Sequence, residues 1–357
     1  MFFKGLEEGI GAPSMASRVA GCFAGIAIGD AMGMPVEMMT RQEIHHRFGR
    51  VRGFVKPFAG SHPYKLGLMS GDTTDDTQLT TAVAQALIWG RGFDLTQLSK
   101  EHVKALEESI VGWGDTTVRA VSAMKERWQK GQRIYKPVPQ CFSLENKDCG
   151  NGVVVKVAPV AVWRVLKAGS HVDGEDGRLL QSISQLGALT HSDPRASIAA
   201  YAVAKTLFLV LSEYVDFSFI HLLFDDIFYS VQTIENNCGI AGEKNILSTN
   251  LAKARYKMLD KGYPSSEVSR RLGTASFVLE SAPFSIVTAL RHIDDFRAGV
   301  LEAVNAGGDT DSNASVVGAI IGANVGLEGI PPEWLRFSPA YLEMARLGLE
   351  LYATFSK

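Results

Sequence analysis

The stretch Thr74-Asp75-Asp76-Thr77-Gln78-Leu79-Thr80-Thr81-Ala82-Val83-Ala84-Gln85-Ala86-Leu87-Ile88 joins a cluster of hard oxygen donors to a helix. Leu79, Val83, Ala86 and Leu87 recur at helical spacing, so the acids and hydroxyls stand where that helix begins. Ser70-Gly71-Asp72-Thr73 supplies the preceding turn. The same design returns more than half the chain later. There Asn305-Ala306-Gly307-Gly308 leads through Asp309-Thr310-Asp311-Ser312 into the apolar run Asn313 to Ala323. Carboxylates and hydroxyls at a helix start serve as caps and complement the dipole, so one cluster alone calls for no ligand. Four carboxylates in two such clusters exceed what capping needs. All-oxygen donors of this kind suit magnesium, manganese or calcium rather than zinc.

Working outward, most of the chain repeats its apolar residues at the 3.6 period between Gly, Pro and Asp turns, and few segments alternate as strands do. The fold class is all-α. Helices are expected over 18–28, 77–89, 95–113, 116–130, 152–167, 179–189, 194–214, 218–235, 245–261, 283–291, 294–304, 312–325 and 339–352. No Pro/Ser-rich linker or repeat divides the 357 residues, and the two acidic clusters must meet across them. A compact single domain over 17–357 is expected, behind a weakly patterned, Gly-rich segment 1–16. The longest irregular stretches, 51–68 and 134–150, have the length of binding loops.

The hydrophobic fraction of 46% supports a large core, and the net charge of -2 leaves no basic stripe of the kind that grips a nucleic-acid duplex. Cys22, Cys141, Cys149 and Cys238 lack metal-ligand spacing and fit a reduced, cytoplasmic setting. Two acids in the first eight residues are at odds with a secretion signal. The apolar run 198–211, broken by Lys205 and Thr206, is short for a membrane span, and a monomer is expected.

Three further segments stand out. Gly29-Asp30-Ala31-Met32-Gly33-Met34-Pro35-Val36-Glu37 follows the small-residue helix Ala20 to Ala27, which permits close backbone approach; Asp30 reads as a local turn group or as part of a site. Gly150-Asn151-Gly152 opens an apolar helix with backbone N–H groups suited to phosphate, although such turns are common without one. Thr190-His191-Ser192-Asp193-Pro194 is an ordinary helix entry. A calcium-binding EF-hand at Asp309 is excluded because Ala314 replaces the required Gly and Ile320 the required Glu. A prenyl-diphosphate synthase is disfavoured because neither Asp75-Asp76 nor Asp225-Asp226 has a third acid one turn on.

In order along the chain, from Arg18 to Ala323, these segments resemble the ADP-ribosylglycohydrolase family. The resemblance implies an all-α orthogonal bundle whose cleft holds two divalent cations, Mg2+ or Mn2+. Thr74, Asp75 and Asp76 would ligate from one side and Asp309, Asp311 and Ser312 from the other, with Glu37 reaching in from a loop. Five carboxylates around two such ions leave a net charge of about -1, whereas one ion would leave them badly uncompensated. The implied chemistry is hydrolysis of the bond from the anomeric carbon of ADP-ribose to a protein side chain, with Asp76 or Glu37 as general base. Gly150, Asn151, Gly152 and His191 would hold the diphosphate and ribose. Val154-Val155-Lys156 departs from the Met-Arg common in relatives, and Asp115 stands near where some members place another metal-near acid. Arginine is the expected modified side chain. Serine linkage, O-acetyl-ADP-ribose and nucleic-acid ends are the other targets. Two other roles are an immunity protein whose residues 1–16 block a partner ADP-ribosyltransferase, alone or together with hydrolysis, and a structural, crystallin-like relative, against which the complete acidic set counts.

Overall fold

Gly21, Gly25, Gly29 and Gly33 fall one helical turn apart on the first helix, α1 (Met15–Gly33). They face Gly322, Gly318, Ala314 and Thr310 of a distant helix, α14 (Thr310–Val325). A Cβ added to Gly25 would stand 2.1 Å from the Gly318 carbonyl oxygen, and one on Gly29 equally close to that of Ala314. Only glycine lets the two backbones touch, so the antiparallel pair is fixed in register by the absence of side chains. Its register sets Asp30 and Glu37, near the end of α1, beside the start of α14 where Asp309 and Asp311 lie.

The structure is a computed structural model, and it describes residues 12–57, 65, 67–142, 148–169, 174–243 and 245–356. Between α1 and α14 run α2 (Arg41–Phe48), α3 (Asp75–Trp89), α4 (Leu95–Glu108), α5 (Asp115–Gln129), α6 (Ala158–Ala168) and α7 (Glu175–Gly187). There follow α8 (Pro194–Ser212), α9 (Ile220–Asn237), α10 (Leu247–Ala254), α11 (Ser265–Leu272), α12 (Val278–Arg291) and α13 (Phe296–Val304). The chain closes with α15 (Pro332–Leu335) and α16 (Pro339–Phe355). Among the described residues there is no strand, only isolated bridges joining Thr40 to Gly307 and Gly150 to Phe277. The fold is the all-α, single-domain bundle the periodicity implies.

α16 covers α1, while α8, α12 and α13 pack around α14, and one continuous apolar core links them. α1 and α8 are long and apolar enough to cross a membrane by composition, yet 100% and 89% of their apolar windows are buried inside the bundle. Buried Arg18 ties the core together by donating from Nε to the Ala323 carbonyl at 2.8 Å and from Nη2 to the Glu213 carbonyl at 3.0 Å, at the last turn of α14 and just past the end of α8.

Several boundaries differ from the sequence expectation for local reasons. The helix expected over 152–167 begins as a 3-10 turn, Asn151–Lys156, and becomes α only at Ala158. Pro283 lies inside α12 rather than at its start. α2, absent from the expectation, is a polar helix with a capping box, Thr40 with Glu43, and only Ile44 buried. α11 is likewise short and polar, burying only Val268 and Leu272. Residues 1–11, most of the segment expected to meet a partner, lie outside the described residues; Ser14 caps α1, which starts at Met15, two residues before the expected domain start.

Candidate metal centre and active site

Asp30 organises the centre through the hydrogen bonds that both of its oxygens accept. Fully buried in the last turn of α1, it accepts from the Thr74 backbone N–H at 2.9 Å and hydroxyl at 2.8 Å, and from the Thr77 N–H at 3.1 Å and hydroxyl at 2.5 Å. These N–H groups are the orphan donors of the first turn of α3, so Asp30 caps α3 from another helix. The local-turn reading of Asp30 is therefore corrected: α1 runs on to Gly33, and the side chain reaches across instead. This contact orients Asp75 and Asp76 towards the start of α14.

The second cluster is held equally firmly. The Thr310 hydroxyl donates to the Gly33 carbonyl at 2.8 Å, and the Asp309 N–H donates to the Thr274 carbonyl at 2.9 Å. Met38 N–H donates to the Gly308 carbonyl and Gly308 N–H to the Met39 carbonyl, both at 2.8 Å, which sews the Glu37 loop to the Asp309 loop. Met38 has φ 67°, a left-handed bend directly after Glu37.

The outcome is convergence. Ligand oxygens of Glu37, Asp309 and Asp311 all lie within 4.8 Å of one another. Asp76 joins from the other cluster, because the Ser312 hydroxyl donates to Asp76 Oδ1 at 3.3 Å. Asp75 is partly exposed beside Gly112, where a Cβ would fall 2.5 Å from its Oδ1. Thr74 and Ser312 use their protons on Asp30 and Asp76 and keep hydroxyl lone pairs. Glu37 Oε2 and Asp76 Oδ2 are buried without a hydrogen-bond partner.

Electrostatics mark the same group. Burial first, then repulsion from Asp30, Asp309 and Glu37, holds Asp75 well above the ordinary carboxylate range. Asp76 and Asp311 are raised in the same way, by burial and then by their acidic neighbours. Glu37 is pushed up to about 7 by burial and by Asp309, against the pull of Lys65, whose Nζ stands 3.4 Å from Oε2. Crowded carboxylates with buried oxygens that no protein donor satisfies form a donor set suited to a cation. All-oxygen ligation fits Mg2+ or Mn2+. Glu37, Asp76, Asp309 and Asp311, with Asp75, Thr74 and Ser312, would hold it.

The remaining candidates line the floor. The Asn151 amide donates to Asp309 Oδ2 at 2.8 Å, so this residue orients an acid of the centre, and its backbone N–H is occupied by the Ser276 carbonyl at 2.9 Å. The expectation of free N–H groups along the whole Gly150–Gly152 turn is corrected to that extent. Buried His191 packs on that turn, its Cε1 3.3 Å from the point a Gly152 Cβ would take and its Nδ1 2.8 Å from the Thr190 hydroxyl. Burial and then nearby Lys156 depress His191 to about 3, so its imidazole stays neutral at physiological pH. Lys156 is itself fully buried, its Nζ without a hydrogen-bond partner, and burial depresses it to about 7. Asp115 stays exposed at the first turn of α5, two residues from Thr117, whose hydroxyl lies 2.9 Å from that same Gly152 position.

Lys65 is a contributor that carried no signal in the sequence, whereas Asp30 and Lys156 were noticed there without these roles: Asp30 stands seven residues before Glu37, at the end of the small-residue helix.

A family model described as ADP-ribosylglycohydrolase matches residues 12–356. The chain is 24% identical to ADP-ribosylhydrolase ARH3 of Gallus gallus, over 95% of this chain and 94% of that protein. It is 25% identical to ADP-ribosyl-[dinitrogen reductase] glycohydrolase of Rhodospirillum rubrum, over 90% of each. ADP-ribosylarginine hydrolase Tri1 of Pseudomonas putida is 22% identical over 94% of this chain and 78% of its own length. A solved structure titled ADP-ribosylglycohydrolase-related protein complex superposes with a TM-score of 0.63 at 23% identity, covering 96% of this chain and 99% of that one.

Proposed function

The chain belongs to the ADP-ribosylglycohydrolase family, a family of hydrolases, and on that premise we propose that it cleaves the N-glycosidic bond between ADP-ribose and arginine on a modified protein. The observation that carries the reading is the meeting of Glu37, Asp309 and Asp311 within 4.8 Å, with Asp76 joined to them through Ser312. Glu37, Asp76, Asp309 and Asp311 would hold two Mg2+ or Mn2+ ions there, whose charge would serve to orient the ribose hydroxyls and acidify a water.

The residues of the chain do the rest. Glu37 is the proton acceptor: it reaches the centre from the loop after α1 rather than from either acidic cluster, and its side chain keeps some exposure, so one of its oxygens can take a proton from water and give it back. Asp76 is the other carboxylate expected in this role, but both its oxygens sit in a side chain only 2% exposed, so it positions rather than exchanges protons. Water attacks the anomeric carbon as Glu37 takes its proton; the bond to the guanidine nitrogen breaks, and the proton returns to that nitrogen. Gly150, Gly152 and neutral His191 hold the diphosphate and ribose, with Asn151 steadying Asp309. Exposed Asp115, at the first turn of α5, offers a carboxylate to the departing guanidinium.

The support for arginine as the target is the one relative named above for ADP-ribosylarginine. Release of ADP-ribose from arginine-modified and serine-modified protein, at equal concentration, tests it: faster release from arginine is expected. Preference for serine overturns the target and leaves the acidic centre standing. Inactivity on both with tight binding of a transferase favours the immunity reading.

A further inference from the structure

A second charged feature lies beside the acidic centre and has the opposite sign. Residues 41–52, Arg41-Gln42-Glu43-Ile44-His45-His46-Arg47-Phe48-Gly49-Arg50-Val51-Arg52, carry four arginines and two histidines against one acid, in a chain whose net charge is -2. The acid, Glu43, is occupied by the capping box, accepting from the Thr40 N–H at 2.7 Å. Arg41 and Arg50 are exposed, and among the described residues neither has a carboxylate within ion-pair distance.

These side chains line a cavity of about 260 Å³ with His45, Ser265, Glu302 and Asn305. That volume accommodates a phosphate and several waters, at roughly 30 Å³ per water. Glu302, the acid on its wall, is offset by cations: Oε2 accepts from the Ser265 hydroxyl at 2.6 Å and lies 2.7 Å from His292 Nε2, while Oε1 makes no hydrogen bond and stands 3.7 Å from Arg291 Nε. Ser265 is the first residue of α11, whose N-cap, Pro264, provides no side-chain cap, so the positive end of that helix borders the same space.

The cavity is tied to the metal loop at both ends. Asn305 accepts from the Val51 N–H at 2.8 Å and donates to its carbonyl at 2.9 Å. At the other end Thr40 bridges Gly307, and a Cβ on Gly307 would fall 2.6 Å from the Arg41 nitrogen. Arg41 follows Glu37 by four residues and Asn305 precedes Asp309 by four, which puts each within about 14 Å of the centre along extended chain.

We propose that this pocket is an anion site for a phosphate group, with Arg41 and Arg50 as its principal ligands. The phosphate is carried either by the substrate beyond the ADP-ribose unit presented to the acidic centre, a source that rests on the functional reading above, or it is free inorganic phosphate. Calorimetric titration of inorganic phosphate into the full-length, metal-free protein and into the Arg41→Gln/Arg50→Gln variant tests the site. The wild type should bind, and the variant should bind roughly tenfold more weakly or worse, since one charge-assisted hydrogen bond to phosphate contributes about a decade of affinity. Absence of binding in the wild type, or equal affinity in the variant, overturns the proposal. Arg50→Gln alone replaces the double variant if the latter melts earlier, and is judged by the same comparison. The source is then read from the ratio of KM for arginine carrying one ADP-ribose unit and arginine carrying two, release from arginine being measured in both. A ratio that shifts at least fivefold in the variant identifies substrate-borne phosphate; an unchanged ratio with weakened phosphate binding identifies the free ion. If the wild type hydrolyses neither substrate, the functional reading fails and the phosphate titration still decides the pocket.

Discussion

Replacing Asp30 by alanine separates positioning from ligation. Asp30 accepts from two backbone N–H groups and two hydroxyls at the start of α3, and it is fully buried. The hydroxyls of Thr74 and Thr77 can rotate towards other acceptors, whereas the two N–H groups cannot. Each orphaned N–H costs about 1–3 kcal/mol, so the loss is about 2–6 kcal/mol before any compensation. Removing a buried negative charge that repels Asp75 and Asp76 returns part of it, leaving about 1–4 kcal/mol of destabilisation. Asp30→Asn keeps one acceptor for the Thr77 N–H and should lose about half as much. Urea unfolding of chelator-treated protein at pH 7 measures the change, and Mn2+ titration of the same samples should show weakened binding because α3 no longer holds its register. Stability of Asp30→Ala within about 0.5 kcal/mol of wild type, with unchanged Mn2+ affinity, would refute the capping account.

Three other perturbations follow the same physics. Asp76→Ala and Asp311→Ala should abolish hydrolysis while leaving metal-free stability equal or higher, because each removes one of several mutually repelling buried carboxylates; a large loss of metal-free stability in both would mark them as structural. Glu37 binds its proton up to about 7 in the fold against an ordinary 4.5, so the folded, metal-free chain holds the extra proton. Its contribution, on the order of 3 kcal/mol, is present below pH 4.5 and lost as pH rises through about 7, and Asp75, Asp76 and Asp311 shift in the same direction. The urea midpoint of chelated protein should therefore fall between pH 5 and 7, and a flat or rising midpoint contradicts the repulsion. Gly25→Ala places a methyl 2.1 Å from the Gly318 carbonyl oxygen and must part α1 from α14; destabilisation above about 2 kcal/mol is expected by thermal or urea melts, and a neutral result would disprove the tight register.

The all-α fold was legible because apolar residues at helical period need only local reading, as in Leu79, Val83, Ala86 and Leu87. α2 and α11 escaped it, since a polar helix that buries one or two side chains has almost no apolar period to detect. The 3-10 turn Asn151–Lys156 read as α because apolar spacing does not distinguish the two over one turn. In the centre, the clustered acids announced themselves by number. Asp30 did not, because its role depends on a crossing between α1 and α3 that spacing along one helix cannot encode. Asn151 was expected against phosphate, yet its amide donates to Asp309, a partner 158 residues away. Lys65 lies in an irregular stretch with no pattern to single it out, and its ion pair with Glu37 is visible only in three dimensions.

Calorimetric titration of metal-free protein with Mn2+, alongside anomalous diffraction from the loaded crystal, tests the central claim that two distant acidic clusters form one cation site. Two ions per chain are predicted, both in contact with carboxylates from Glu37, Asp76, Asp309 and Asp311, with one or both lost in Asp311→Ala. No bound ion, or ions only away from these carboxylates, would contradict it.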